Sequence, residues 1–426
     1  MKSLLRRMRP NNAVATALPN TVAARALTAA AVTTAALILP APAALAAGDF
    51  AACLTQLRGP ALKAGVSAAT FDTHTANLAP DMAVIDLLDA QPEFKTPIWD
   101  YMAGLVDDER VTDGQAGMAR WQAELDRASQ RYGVDPATIA AVWGVESNFG
   151  RTLGGRPLLT SLSTLSCYGR RQAYFRGEFF STLKIIQDEH IAPERLVGSW
   201  AGAFGQTQFM PSTYLRLAVD FDGDGRRDLV DSVPDALAST ANFLKRAGWN
   251  PALAWGYEVK LPAKLDTSGA GRKNKRPMSS WVKLGVARAD GQALPGGDAP
   301  AGLLLPAGRN GPAFLVTRNF DALYSYNAAE SYALAIAHLS DRLRGGGPLI
   351  QAWPTDDPGL SRAERRELQR LLIARGYDLG EPDGMIGART RQALQAAQRE
   401  LGLSPDGRAG QKALKALRAS TVTPKG

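Results

Sequence analysis

Cysteine and histidine are scarce in this chain of 426 residues, which has two of the first and three of the second. No Cys/His ligand cluster is present, which argues against a zinc enzyme. Cys53 and Cys167 are an even pair, so an oxidising compartment would allow one disulfide. Two buried free thiols are the alternative, and spacing does not decide between them. Signatures of nucleic-acid binding are also absent. The apolar run at residues 26–39 ends against Pro40 and Pro42 and is short for a bilayer, so no membrane span is expected. The length suggests two or three domains.

What is present begins with an export signal. Lys2, Arg6, Arg7, Arg9 and Arg25 precede or open onto the apolar run, and Ala44-Leu45-Ala46 supplies small residues for cleavage. Residues 1–46 therefore read as a secretory signal and the mature protein as periplasmic. Gly48 and Asp49 interrupt the apolar run just before Cys53, so a lipid anchor there is not expected. The signal carries five of the eight net positive charges. Residues 359–426 hold 13 Lys/Arg against 7 Asp/Glu, which leaves the intervening body near −3. The basic end can attract an anionic polymer, and for an exported protein nucleic acid is excluded as that partner.

The most informative stretch is Asp135-Pro136-Ala137-Thr138-Ile139-Ala140-Ala141-Val142-Trp143-Gly144-Val145-Glu146-Ser147-Asn148-Phe149-Gly150. Asp135 suits an N-cap, Pro136 the first helical position and Gly150 the position past the end. Ile139, Val142 and Trp143 form one apolar stripe, and Glu146 falls on it seven, four and three residues later. Burial of that face takes the carboxylate inside or leaves it at the mouth of a cleft. Lost solvation then raises its pKa, as a general acid requires. A buried Glu paired with an Arg for structural reasons is the competing reading, and the helix alone does not choose.

Upstream the pattern is helical, with loops at Pro80, Gln91-Pro92 and Thr96-Pro97 and an aromatic pair at Trp99 and Tyr101. Arg170 and Arg171 stand beside Tyr174 and Phe175, a set that suits an acetylated or carboxylated sugar as well as a solvated helix start. Residues 198–212 mix small residues with Ser199, Gln206 and Gln208, permitting close approach of backbone and ligand. Asp220-Phe221-Asp222-Gly223-Asp224-Gly225-Arg226-Arg227-Asp228-Leu229-Val230-Asp231 fits a calcium loop, with Asp220, Asp222, Asp224, Arg226 and Asp228 at alternate positions. Asp231 is a short closing ligand, so Asp235 is the alternative. A structural calcium is favoured over a solvated acidic turn. Residues 257–315 turn to Pro, Gly and β-type segments, around Trp281 to Val286 and Leu303 to Pro306, with a solvated basic loop at 271–277. Helix resumes through Tyr326, Asn327 and Tyr332.

Residues 345–358 read as a linker. Beyond it, Ser361 and Glu364 form a capping box. Gly376-Tyr377 with Asp383-Gly384 is echoed by Gly402-Leu403 with Asp406-Gly407, around one helix. Residues 359–420 thus form a small three-helix domain that has no clustered acid, base or nucleophile and should bind rather than catalyse; 421–426 form a tail.

In order along the chain, Val145-Glu146-Ser147-Asn148-Phe149-Gly150, Gly169-Arg170-Arg171, Gly198-Ser199-Trp200-Ala201-Gly202, Gln208-Phe209-Met210-Pro211-Ser212, the acidic loop and Ser325-Tyr326-Asn327 resemble the lytic murein transglycosylase B family. The last 60 or so residues look like a helical peptidoglycan-binding domain. The resemblance implies a mainly α (α+β) fold: a lysozyme-like catalytic domain over 47–344 with a small β insertion, then the three-helix domain. It implies Glu146 as sole acid/base, with Ser199 and Asn327 near the acetamido group of N-acetylmuramic acid. Tyr101, Arg170, Arg171, Tyr174, Gln208, Tyr326 and Tyr332 would line the glycan cleft, and Asp235 would close the calcium loop. Phe243 departs from relatives with a cleft Tyr. The expected partner is peptidoglycan, the expected state a monomer, and no catalytic cofactor is implied.

Overall fold

The structure, a computed structural model, describes residues 43–89 and 96–420. Most of the segment expected to be an export signal, Gln91-Pro92 and the expected tail lie outside them.

The Glu146 helix spans Pro136–Ser147, with the Asp135 side chain accepting the Thr138 N–H at 3.0 Å. Residues 137–144 are all buried. The helix is therefore apolar all round and runs through the core rather than along its edge. Helices Asp108–Arg120, Gln122–Tyr132, Val233–Arg246 and Glu330–Leu343 pack around it. A second core is built from Phe50, Leu54 and Leu57 of helix Ala43–Lys63 against helices Leu158–Cys167 and Gln172–Gln187. The disulfide Cys53–Cys167 ties those parts together, which decides between the two cysteine readings.

Strands β1 (Arg156–Pro157) and β2 (Val197–Gly198) make a short antiparallel pair. Strands β3 (Gly256–Lys260), β4 (Lys275–Pro277), β5 (Ala287–Arg288), β6 (Pro300–Leu304) and β7 (Ala313–Val316) form an antiparallel sheet in the order β4-β6-β7-β3-β5. Two expectations fail here. Trp281 lies in a short helix, Met278–Lys283, because Met278 and Trp281, one turn apart, both bury against the sheet. The basic segment 271–277 is not a solvated loop: Arg272 stacks on Tyr324 at 3.4 Å and pairs with Asp321 at 2.9 Å, and Lys275 pairs with Asp321 at 2.8 Å.

Within residues 345–358, Ile350 and Gln351 lie against β3, where Glu258 accepts their backbone N–H groups at 2.9 and 2.8 Å. Helices Arg362–Ile373, Ala388–Glu400 and Gln411–Ala419 then close around Leu368, Leu372, Leu394 and Leu414. Ser361 and Glu364 form the capping box. The sequence echo has a structural cause. Buried Gln369 accepts from Gly384 N at 2.6 Å and donates to Asp383 at 2.9 Å, while buried Gln398 does the same for Gly407 and Asp406, both at 2.8 Å.

Candidate active site

Glu146 occupies the last turn of its helix, and the chain leaves through left-handed Asn148 (φ 50°) and Phe149 (φ 59°) before Gly150 (φ 80°). Two successive non-glycine residues in that region are costly and need support from their surroundings. Phe149 folds back onto the helix, where a Cβ on Gly144 would stand 2.6 Å from its ring. The helix thus ends two residues earlier than the glycine alone suggests, and Glu146 stays half-buried at the rim of the core.

The Tyr332 hydroxyl donates directly to Glu146 Oε1. Tyr332 stacks on Tyr326 (6.2 Å, 23°), whose ring packs against Phe243 at 4.6 Å and Phe209 at 5.9 Å. Burial first, and then the Glu146 charge, push both phenols well above the usual tyrosine range, so they remain protonated donors. Tyr101 adds to that effect on Tyr332. Phe243 supports Tyr326 by packing, where a Tyr would have offered a polar group.

The cleft beside Glu146 has a volume of about 640 Å³. Glu146, Ser147 and Asn148 lie along one side, and Arg362, Arg366 and residues 383–387 of the three-helix domain along the other. The domain expected only to bind therefore forms part of the cleft wall. Its seam rests on Arg362 (9% exposed) and Asp107 (7% exposed). Arg362 donates to Asp107 through its backbone N–H at 3.0 Å and Nε at 3.1 Å, and through Nη1 to Asn148 Oδ1 at 2.6 Å. Burial draws the Asp107 carboxyl upward, but the Arg362 hydrogen bond and the Arg110 and Arg362 amides outweigh it and hold the group below its usual range. Arg366 meets Glu109 at 2.5 Å, and Arg408 meets Asp100 at 2.6 Å.

Ser199 and Gln208 share the loop after β2. Ser199 Oγ accepts the Ala203 N–H at 3.0 Å; left-handed Gln208 (φ 51°) donates to Gly205 O at 2.9 Å and Leu153 O at 3.2 Å. Two bonds stitch this loop to the Glu146 region: Trp143 Nε1 to Gln206 Oε1 at 3.0 Å and Tyr326 OH to Thr207 O at 2.6 Å. Asn327 is exposed at the end of helix Arg318–Asn327, next to Tyr326. Arg170, Arg171 and Tyr174 form a separate group. Arg170 donates to Leu88 O at 2.6 Å, and Arg171 covers the Tyr174 ring at 4.5 Å, with Tyr174 41% exposed. Glu178 went unnoticed in the sequence. It is buried and accepts from Ser212 N and Oγ at 2.9 and 2.8 Å, fixing the end of the Gln208–Ser212 motif. A Glu in a helix full of aromatics gives no sequence signal for that role.

In the acidic loop, carboxylate oxygens of Asp220, Asp222 and Asp235 all lie within 4.8 Å of one another. Asp235 also accepts from Phe221 N and Asp228 N, both at 2.7 Å. Its carboxyl is pushed up to about 6, by burial and also by the Asp222 charge, despite those amides. Three converging acids, one of them held protonated by burial, present the kind of oxygen donors that a divalent cation takes. Asp224, Asp228 and Asp231 are not among these three: Asp231 pairs with Arg195, and Asp224 and Asp228 accept backbone amides of Arg226 and Val230. Arg226 stands at the position of the loop that ligates through its backbone carbonyl, and its N–H donates to Asp224 at 2.8 Å.

Residues 49–341 match the family described as "Transglycosylase SLT domain", and residues 361–417 that described as "Putative peptidoglycan binding domain". The first match covers more than half of the chain, and the protein belongs to this transglycosylase family. The chain is similar to the membrane-bound lytic murein transglycosylase B of Escherichia coli K12, 37% identical over 243 residues, 56% of this chain. That similarity spans 65% of the relative's length. Among solved structures it resembles SltB3 of Pseudomonas aeruginosa in complex with NAG-anhNAM-pentapeptide: 45% identity, TM-score 0.70, covering 87% of this chain and 99% of the other. It also resembles the E. coli lytic transglycosylase Slt35 in complex with calcium: 31% identity, TM-score 0.59, covering 70% and 92%. Among the described residues no helix is long and apolar enough to cross a membrane.

Proposed function

We propose that the protein is an exported, periplasmic lytic transglycosylase. It cleaves the glycosidic bond between N-acetylmuramic acid and N-acetylglucosamine in peptidoglycan, leaving a 1,6-anhydro end. The observation that carries this reading is the state of the cleft carboxylates. Glu146 stands at the rim with a tyrosine donor on one oxygen. The other two cleft acids are already engaged, Glu109 by Arg366 and Asp383 by Gln369 and Met385 N. Enzymes that hydrolyse sugars ordinarily use two carboxylates. With one, the substrate itself must supply the second group.

Glu146 in its protonated form gives its proton to the glycosidic oxygen as the bond to C1 breaks. The substrate's 2-acetamido group, oriented by Ser199 and Asn327, supports C1. Glu146, now a base, removes the proton from the C6 hydroxyl, whose oxygen bonds to C1. The carboxyl is regenerated and no water is consumed. Tyr332 holds Glu146 in position, while Tyr101, Tyr326, Gln208, Arg170, Arg171 and Tyr174 contact the sugars. Acid/base assistance contributes roughly 10²–10⁴ in rate, and oriented internal attack replaces a free nucleophile at effective molarities of roughly 10⁵ M or more. Asp220, Asp222 and Asp235 would hold a calcium ion that neutralises the loop without entering the chemistry. Glu146→Gln keeps the shape and loses the proton. It should reduce glycan cleavage by roughly 10²–10⁴ with binding to sacculi retained; undiminished cleavage would refute the assignment.

A further inference from the structure

We propose that the seam between the two domains contains a carboxylate-binding subsite. Arg110 and Arg365 build it beside Glu146, and it takes a free carboxylate of the peptide carried by the glycan. The inference rests on the peptidoglycan reading above for the identity of its ligand, but not on the reaction.

Five arginines line the cleft against three carboxylates, and the pairing is uneven. Arg362 has Asp107 and Arg366 has Glu109. Arg110, 6% exposed, donates Nη1 to Gly144 O at 3.0 Å, and its Nε has no partner. Arg365 reaches Gly104 O through Nη2 at 3.3 Å, and its Nε is likewise buried without a partner. Neither forms a salt bridge among the described residues. Asp107, already bonded to Arg362, is the carboxylate whose charge acts on both. Burial first, and then the neighbouring Arg362 charge, draw Arg110 down to about 10; burial lowers Arg365 as well, with Arg362 and Arg366 adding to it against the pull of Asp107.

A buried guanidinium that forms no salt bridge and leaves its Nε without an acceptor is costly unless something arrives to supply them. A carboxylate is the group that matches two such forks. The glycan backbone is neutral, so the anionic groups near a muramic residue in the cleft are those of its peptide. Arg110 bonds Gly144, two residues before Glu146, so a carboxylate held there lies next to the reacting sugar. One arginine comes from each domain, and the subsite exists only when the seam is closed.

The test is calorimetric titration of the full chain with NAG-anhNAM-pentapeptide and with the same compound after amidation of its carboxylates. The wild type should bind the free acid roughly ten- to a hundredfold more tightly, the scale of one charge-assisted hydrogen bond. Arg365→Gln should bring that ratio close to one, and Arg365→Lys should retain part of it. Equal wild-type affinities for the two ligands, or a ratio unchanged in Arg365→Gln, would overturn the proposal. The wild-type comparison needs no variant to fold. Because the readout is binding, failure to form anhydro products would sink the reaction and leave this result standing.

Discussion

Arg362→Met tests whether the C-terminal domain is part of the catalytic apparatus. The substitution keeps much of the side-chain volume and removes the cation that Asp107 holds at 3.1 Å in a buried seam. Removing one member of a buried ion pair costs about 3–5 kcal/mol, because the remaining charge is left uncompensated. Loss of the charge-assisted bond to Asn148 adds about 1.5–3 kcal/mol. A domain of this size is marginally stable by itself, at about 5 kcal/mol, so the seam should open and the 345–358 segment should become a protease site. Calorimetry should show the C-terminal domain melting earlier, and cleavage of short soluble glycans should fall because Asn148, two residues past Glu146, loses its anchor. Adding Asp107→Asn should recover part of the lost stability, since the stranded charge is then gone. An Arg362→Met protein with wild-type melting, protease resistance and activity would refute the reasoning.

The acidic loop predicts a pH dependence that calcium reverses. In the fold Asp235 holds its proton up to about 6, against the ordinary 3.8. Calcium-free protein should therefore lose stability as pH rises from about 4 to 6, by up to ~3 kcal/mol. Calcium should stabilise most above that window; melting temperatures blind to both pH and calcium would contradict the site. The disulfide closes a sequence separation of 114 residues. Replacing both cysteines by serine should cost on the order of 4–5 kcal/mol by loop entropy, measured by denaturant unfolding, and an unchanged midpoint would show that the second core needs no covalent tie.

Local signals located the centre of the molecule. A capping Asp, a helical proline and the 3.6-residue spacing of Ile139, Val142, Trp143 and Glu146 put Glu146 on a buried helix face, while the choice between an acid and a structural ion pair came from the family resemblance. The Gln369 and Gln398 turns likewise surfaced as a repeat, because each turn is built within some 15 residues. What the sequence hid is long-range pairing. Arg362 and Asp107 are 255 residues apart, and no local pattern around either one points to the other. Arg272 looked like part of a basic loop because its partners, Asp321 and Tyr324, lie beyond the sheet. Trp281 followed a strand-like pattern, but one short helix buries it together with Met278.

The central claim is that a single carboxyl, Glu146, directs the sugar's own C6 hydroxyl onto C1. Mass analysis of the products from purified glycan strands tests it most directly. Muramic ends lighter by one water than hydrolysed ends, and free of label when the digestion is run in ¹⁸O water, are the result predicted. Ends that carry the full water, with the label incorporated, would contradict it.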